Sequence, residues 1–204
     1  MVEFEPWNKG KSVGQRKPFT PDQVRLIRDN LRAEGNFRDL ALFCVAVDTM
    51  LRASDLLKLK VSDVLDSLSG DIKTEIAIQQ RKTGNSTMVT LTPISQDALA
   101  RWIKEEGKLL WDYLFTGLRK SKQKPISRNY YRSLVKKWAG MARLNPEDYS
   151  SHSLRRTKAS LIFQATNNVE VVRQLLGHSS VASTSAYLGV DKRQALEIAR
   201  RIEI

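Results

Sequence analysis

Apolar residues recur along most of this chain at helical spacing. Val24, Ile27 and Leu31 follow a start signal in which Thr20 can cap, Pro21 suits the first helical position and Gln23 can close a capping box. Gly35 ends that element. A second helix opens at Asn36 and carries Phe37, Leu40, Phe43, Cys44 and Val47, and a short one is expected around 54–59. The period then changes. Ile72, Thr74, Ile76 and Ile78 alternate with polar or small residues, 87–91 is a second β-rich run, and Lys82-Thr83-Gly84-Asn85 between them is a turn signal. This pattern predicts an antiparallel hairpin with Lys82 near its tip. Helical spacing returns after Pro93, over 95–106, 127–143 and 153–166, from a cap at Asn168 to Gly177, and over 181–188 and 191–204. Residues 1–18 carry Gly10, Gly14 and Pro18 without periodicity and read as a tail, which leaves 19–204 as one domain. The expected fold is mainly α with one small antiparallel β-hairpin (α+β).

Composition narrows the function classes. At 204 residues with 41% hydrophobic and 27% charged, the chain has the balance of a globular domain. No apolar run approaches the roughly 20 residues of a membrane span. No apolar stretch near the start suggests a secretory signal, so a cytoplasmic location is expected. Cys44, the single cysteine, reads as a small core residue, and with two histidines it cannot supply a structural zinc set. There is no phosphate-cradling P-loop and no acidic cluster for Mg²⁺, so neither cofactor nor metal is expected. Charge points to a polyanion: 34 Lys and Arg against 22 Asp and Glu leave +12. From Tyr113 to Pro146 there is no acid, while Arg119, Lys120, Lys122, Lys124, Arg128, Arg132, Lys136, Lys137 and Arg143 all fall there. Such a one-signed surface suits nucleic acid better than general solubility.

The residues able to do chemistry are few. His152 precedes Arg155 by three positions, which puts both on one helical face. His178 follows the helix-ending Gly177, and Tyr187 comes nine residues later. Each alone is ordinary. Together with Thr49-Met50-Leu51-Arg52-Ala53-Ser54-Asp55 and with Lys82 in its hairpin they form an ordered set. That set, from about Phe19 to the end, resembles the tyrosine recombinase (phage integrase) family. The family's site joins two arginines, a hairpin lysine, two histidines and a tyrosine, onto which Arg52, Lys82, His152, Arg155, His178 and Tyr187 map. Departures from the family pattern are Met50 where glycine is usual, Asp55 where glutamate is usual, and Ser151 where proline or threonine is frequent. The 18 residues before Phe19 are too few for the helical clamp domain of many members. The resemblance therefore implies either a compact recombinase of fimbrial-invertase-like size or an excised catalytic domain.

The resemblance implies site-specific recombination of double-stranded DNA through a 3′-phosphotyrosine, without metal or ATP. Tyr187 would attack phosphorus. Arg52 and Arg155 would bind the non-bridging oxygens, since a guanidinium fork holds two oxygens and stays charged. Lys82 would protonate the leaving oxygen, His152 would exchange the tyrosine proton, and His178 would donate to a phosphate oxygen. Asp55 would orient Arg52 or His152, or form a simple helix ion pair. Arg81 and Arg156, with Arg119, Lys120, Lys122, Lys124, Arg128, Arg132 and Lys136, are candidates for phosphate positioning. DNA affinity should then fall steeply with salt. The 191–204 helix, with Leu196, Ala199 and Ile202 on one face, either packs on its own domain or docks on a neighbour. A monomer in free solution that becomes a tetramer on DNA is expected. Two other readings use the same residues: type IB topoisomerase-like strand passage, and a non-catalytic DNA-binding regulator on the same fold.

Overall fold

The computed structural model describes residues 16–117, 124–188 and 200. Nine α-helices and one two-stranded sheet are found among the described residues. Helix α1 (Pro21–Ala33) starts with the expected capping box, in which Thr20 Oγ1 accepts from the Gln23 N–H (3.3 Å) and Gln23 Oε1 from the Thr20 N–H (2.9 Å). Helix α2 (Phe37–Thr49) begins at the Asn36 cap and is buried on nearly every face, which makes it the axis of the domain. Strands β1 (Glu75–Gln79) and β2 (Ser86–Thr90) pair antiparallel with Ile76 opposite Val89, and Ile76, Ile78 and Val89 face the core. Helices α5 (Pro93–Glu106), α6 (Arg128–Met141) and α7 (Ser151–Thr166) follow, then α8 (Val169–Leu176) and α9 (Val181–Leu188).

Several boundaries differ from the pattern-based expectation. The short helix after Arg52 is α3 (Ala53–Leu56), and a second single turn, α4 (Val61–Val64), follows it. Asp63 accepts from the Lys60 N–H (2.7 Å) to start α4, while Val61 and Val64 are buried. Ile72 lies outside β1 in an isolated bridge to Leu65, because the chain bends at the 66–71 turn and enters the ladder only at Glu75. Helix α7 begins two residues earlier than expected, since Ser150 caps it reciprocally with Ser153. That shift puts His152 inside the first turn. The helix expected over 191–204 falls outside the described residues except at Arg200, as does most of the 1–18 tail.

Two clusters of apolar side chains hold these elements together. The large one contains Ile27, Leu31, Phe43, Phe115, Tyr131, Leu134 and Trp138, with Phe43 edge-on to Trp138 (5.4 Å, 80°). Cys44 belongs to it, and burial pushes its thiol up to about 12. The small one comprises Met50, Ala159, Val172 and Leu176, with Tyr187 and Leu188 packed on it. Helix α7 contributes to both, through Leu154 and Ala159. The last two helices thus rest on few buried residues, which places them toward the low-stability end of the domain.

Buried charge joins α2 to the helices that flank the site. Arg38, almost fully buried, donates to Asp39 Oδ1 (2.7 and 2.9 Å) and to Tyr130 Oη (2.9 Å), which ties α2 to the first turn of α6. At the other end of α2, Asp48 accepts from the Thr92 N–H (2.9 Å), Thr92 Oγ1 (2.6 Å), Ser95 Oγ (2.5 Å) and Lys158 Nζ (3.1 Å). Burial alone would raise this carboxyl, but the bonds from Ser95 and Thr92, with Lys158, hold it below its ordinary value. Asp48→Ala is expected to cost about 2–3 kcal/mol at pH 7, because it orphans these donors. A depressed carboxyl stabilises fully above the unfolded value near pH 4 and fades as pH falls through the folded one. Urea unfolding should therefore show the gap between wild type and variant narrowing below about pH 4. A gap that stays constant there would contradict this account.

Candidate active site

The site forms where the ends of α2, α7 and α8 meet the hairpin. Helix α2 stops because Thr49 Oγ1 bonds back to the Val45 carbonyl (2.7 Å) and Met50 takes a left-handed conformation (φ 50°). A non-glycine residue there costs about 1 kcal/mol, and burial of the Met50 side chain in the small cluster offsets it. The turn presents Arg52 at the start of α3, partly exposed, with Nη1 on Gln80 Oε1 (2.5 Å).

Arg155 lies one turn into α7 and is buried. Its Nη1 donates to the Met50 carbonyl and its Nη2 to the Leu176 carbonyl (2.7 Å). Both acceptors sit at helix C-termini, where carbonyls lack intrahelical partners and carry the negative end of the dipole. One guanidinium thereby fastens the ends of α2 and α8 to α7. Burial lowers Arg155 to about 10, so it remains a cation at neutral pH.

Tyr187, half-buried on α9, points its hydroxyl at the His152 carbonyl (3.5 Å). Its ring meets His178 edge-on (5.4 Å, 88°), and the Arg156 guanidinium lies 5.6 Å from its centroid. Burial raises the phenol to about 12, against the pull of Arg155 and Arg156. His178 follows Gly177, which closes α8 with φ 61°. His178 Nδ1 meets Thr184 Oγ1 (3.1 Å), and its carbonyl accepts from Arg173 Nη1 (2.8 Å). Burial first, then Arg155 and Arg52, lower His178 to about 4. The same causes lower His152, which keeps an exposed edge in the first turn of α7. Both imidazoles are therefore neutral at pH 7.

Lys82 stands exposed in the hairpin turn, between two lobes of one cleft. The larger lobe, about 640 Å³, is lined by Arg52, Lys82, Gln80, Arg173 and His178. The smaller, about 320 Å³, is lined by Arg52, Lys82, Arg128, Arg132, His152 and Arg155. Five of the six candidates of the catalytic set thus line the cleft, with Arg52 and Lys82 common to both lobes, and Tyr187 joins them through its contacts with His152 and His178.

The supporting residues are placed less uniformly. Asp55 is buried, and its Oδ1 accepts from the Arg81 N–H (3.2 Å) and Ser54 Oγ (3.2 Å). Its bonds therefore anchor the hairpin rather than orient Arg52 or His152, and Oδ2 has no hydrogen-bond partner among the described residues. Arg128 and Arg132 line the cleft, and Arg81 and Lys124 are exposed. Lys136 is engaged with Glu147 (2.6 Å). Arg156 is buried and donates to the Arg16 carbonyl (2.6 Å), so it underlies the Tyr187 ring instead of facing solvent. Arg119, Lys120 and Lys122 lie outside the described residues. Gln80, Arg173 and Thr184 were not expected at the site. Their roles depend on partners distant in sequence or on local bonds that no periodicity marks.

A family model for the phage integrase family matches residues 17–194. The chain belongs to the phage integrase family. It is 28% identical over 157 residues to the probable integrase/recombinase YoeC of Bacillus subtilis, covering 77% of this chain and 80% of that protein. It is 26% identical over 190 residues to tyrosine recombinase XerA of Pyrococcus horikoshii, covering 92% of this chain and 62% of that one. To tyrosine recombinase XerC of Caldanaerobacter subterraneus it is 30% identical over 183 residues, with 88% and 49% covered. The chain therefore spans only part of the length of these last two integrase relatives. Among solved structures, XerA recombinase superposes with a TM-score of 0.72 at 19% identity, over 94% of this chain and 68% of that one. XerH recombinase bound to palindromic difH substrate in a post-cleavage complex gives 0.71 at 22% identity, over 93% and 54%. At such identity these neighbours establish the fold, a tyrosine recombinase catalytic domain. Among the described residues, no helix is long and apolar enough to cross a membrane. Nor do they contain a group of three or more His, Cys, Asp or Glu that could hold a metal ion.

Proposed function

We propose that this integrase-family chain cleaves and rejoins double-stranded DNA by transesterification at Tyr187, as a site-specific recombinase. The observation that carries this reading is that two arginines, two histidines and the hairpin lysine line one basic cleft, with Tyr187 in contact with both histidines. In the forward step the Tyr187 phenol loses its proton as Oη bonds to phosphorus. The P–O5′ bond breaks, and the 5′-oxygen takes up a proton. A 5′-hydroxyl from a partner strand reverses the step, so the phosphotyrosine conserves the bond energy and no nucleotide is consumed.

The residues divide this work by their chemistry. With its phenol near 12, Tyr187 is protonated at neutral pH and needs an acceptor. Neutral His152, in the first turn beside it, suits that task. Arg52 and Arg155 face the charge that develops on the non-bridging oxygens. Lys82 on its exposed turn delivers the proton to the leaving oxygen. His178, held through Thr184 and Arg173, offers its remaining nitrogen to the phosphate. Arg81, Lys124, Arg128, Arg132 and Lys136, with Arg119, Lys120 and Lys122, contact the backbone of the duplex. Four copies assemble on DNA from monomers in solution. The test is an SDS-stable adduct on duplexes from the chain's own genomic neighbourhood, nicked to trap the intermediate. Mass photometry of the same mixtures reads the assembly. Binding without any adduct would favour a DNA-binding regulator, and relaxation of any supercoiled plasmid without exchange would favour a topoisomerase.

DNA binding is also expected to take up protons below about pH 6.5. In the free protein burial, and after it the charges of Arg155 and Arg52, hold both histidines below their ordinary value. A bound phosphate offsets those cations, so the histidine pKa values rise in the complex. The complex then binds more protons than the free chain, and affinity strengthens as pH falls from 7.5 to 5.5. Calorimetry in buffers of different ionisation enthalpy should register the uptake, and His178→Asn should reduce it. Affinity that is flat across this range would contradict the placement of the phosphate.

A further inference from the structure

We infer that Gln80 is a positioning residue that sets the Arg52 guanidinium and links it to the turn carrying Lys82, an inference resting on the strand-cleaving reading above. Gln80 directly follows β1. Its backbone closes the turn, with its N–H on the Asn85 carbonyl (2.8 Å) and its carbonyl accepting from the Gly84 N–H (2.7 Å). Its side chain runs the other way, into the cleft floor, and is 2% exposed. There Oε1 accepts from both Arg52 Nη1 (2.5 Å) and Thr83 Oγ1 (3.1 Å). Its Nε2 end packs on Gly177, so closely that an added Cβ at Gly177 would run into it. Gly177 also has φ 61°, so two separate constraints select glycine at the residue before His178. One amide thus touches Arg52, the residue after Lys82, and the peptide leading to His178.

The choice of an amide has a chemical reason. A neutral carbonyl oxygen holds one arm of the Arg52 fork and leaves both its positive charge and its other donors for a phosphate. A carboxylate in the same place would pair with Arg52 and compete with the phosphate. An apolar side chain would fill the space but release both the guanidinium and Thr83. Because Lys82 lies between Gln80 and Thr83, a shift of the turn on meeting DNA is passed to Arg52 through one oxygen. Arg52 and Lys82 would then be set together, which suits groups that act on opposite ends of one phosphoryl transfer.

Gln80→Glu, which keeps the shape, and Gln80→Met, which keeps the volume, separate this role from simple packing. Single-turnover adduct formation on the nicked duplex is expected to slow by about 10- to 100-fold in both, with DNA affinity within about threefold of wild type. In an Arg52→Ala background the same changes should add almost nothing, since coupled residues are non-additive. Wild-type rates for Gln80→Glu, or losses that add in full to those of Arg52→Ala, would overturn the inference. If wild type forms no adduct, the strand-cleaving reading fails, and the Arg52 Nε–H resonance in the full chain decides about Gln80. Inorganic phosphate should shift that resonance in wild type and not in Gln80→Glu, and an equal shift in both would overturn the role.

Discussion

Tyr187→Phe is expected to abolish the DNA adduct outright, a loss beyond the detection range of a gel assay. The variant should nevertheless bind DNA as wild type does and unfold at nearly the same denaturant concentration. The reason lies in where the hydroxyl sits. The ring supplies the packing on the small apolar cluster and the edge-on contact with His178, and phenylalanine keeps both. The hydroxyl makes a long 3.5 Å contact to the His152 carbonyl and lies within reach of the Arg155 guanidinium, so its loss costs about 1 kcal/mol of stability or less. With no other nucleophile on the ring, the covalent intermediate cannot form. An adduct retained by this variant would remove Tyr187 from the role, and strong destabilisation would show that the hydroxyl is structural.

The two arginines should separate catalysis from stability. Arg52 is partly exposed and its guanidinium rests on one side chain, Gln80. Arg52→Ala is expected to slow single-turnover cleavage by about 100- to 1000-fold, the usual cost of one preorganised donor, while leaving the urea midpoint close to wild type. Arg155 is buried, and its bonds to the Met50 and Leu176 carbonyls join three helices beneath the small cluster. Arg155→Ala should therefore lose comparable activity and, in addition, about 2–4 kcal/mol of stability, because two buried carbonyls lose a charged donor. The loss should concentrate in α8 and α9, which rest on that cluster, and hydrogen exchange would locate it there. Equal stability for both variants would mean that the carbonyl bonds of Arg155 are not the fastening described.

How these two arginines come to differ was not legible in the chain order. Both were found from spacing and from the resemblance to the phage integrase family, which treats them as a pair. The same holds for the acid at Asp55 and the base at Arg156. Sequence logic offers Asp55 either an orienting role toward Arg52 or His152 or a simple helix ion pair, and Arg156 a place on phosphate. In the folded chain Asp55 holds the Arg81 N–H and Arg156 lies under Tyr187, donating to Arg16. Direction on a helix surface can be read from periodicity, but the partner met in that direction comes from another part of the chain.

What the sequence determined by itself was local or chemical. The capping box at Thr20, the helix start around Asn36, the hairpin turn at 82–85 and the glycine ending at Gly177 are each set within a few residues, and all stand as expected. The identity and order of Arg52, Lys82, His152, Arg155, His178 and Tyr187 were legible because those side chains are scarce or distinctively spaced. Tertiary structure decided what depends on contacts far apart in sequence. Gln80 reads as one more polar position at the end of a strand, yet it meets Arg52 across 28 residues of chain. Asp48 looks like an ordinary helix acid until α5 and α7 bring it four hydrogen bonds. The depressed histidines and the raised phenol likewise arise from burial and from cations delivered by other elements. Local propensity acts over one turn of chain, whereas dielectric, charge and hydrogen-bond partners are properties of the assembled fold.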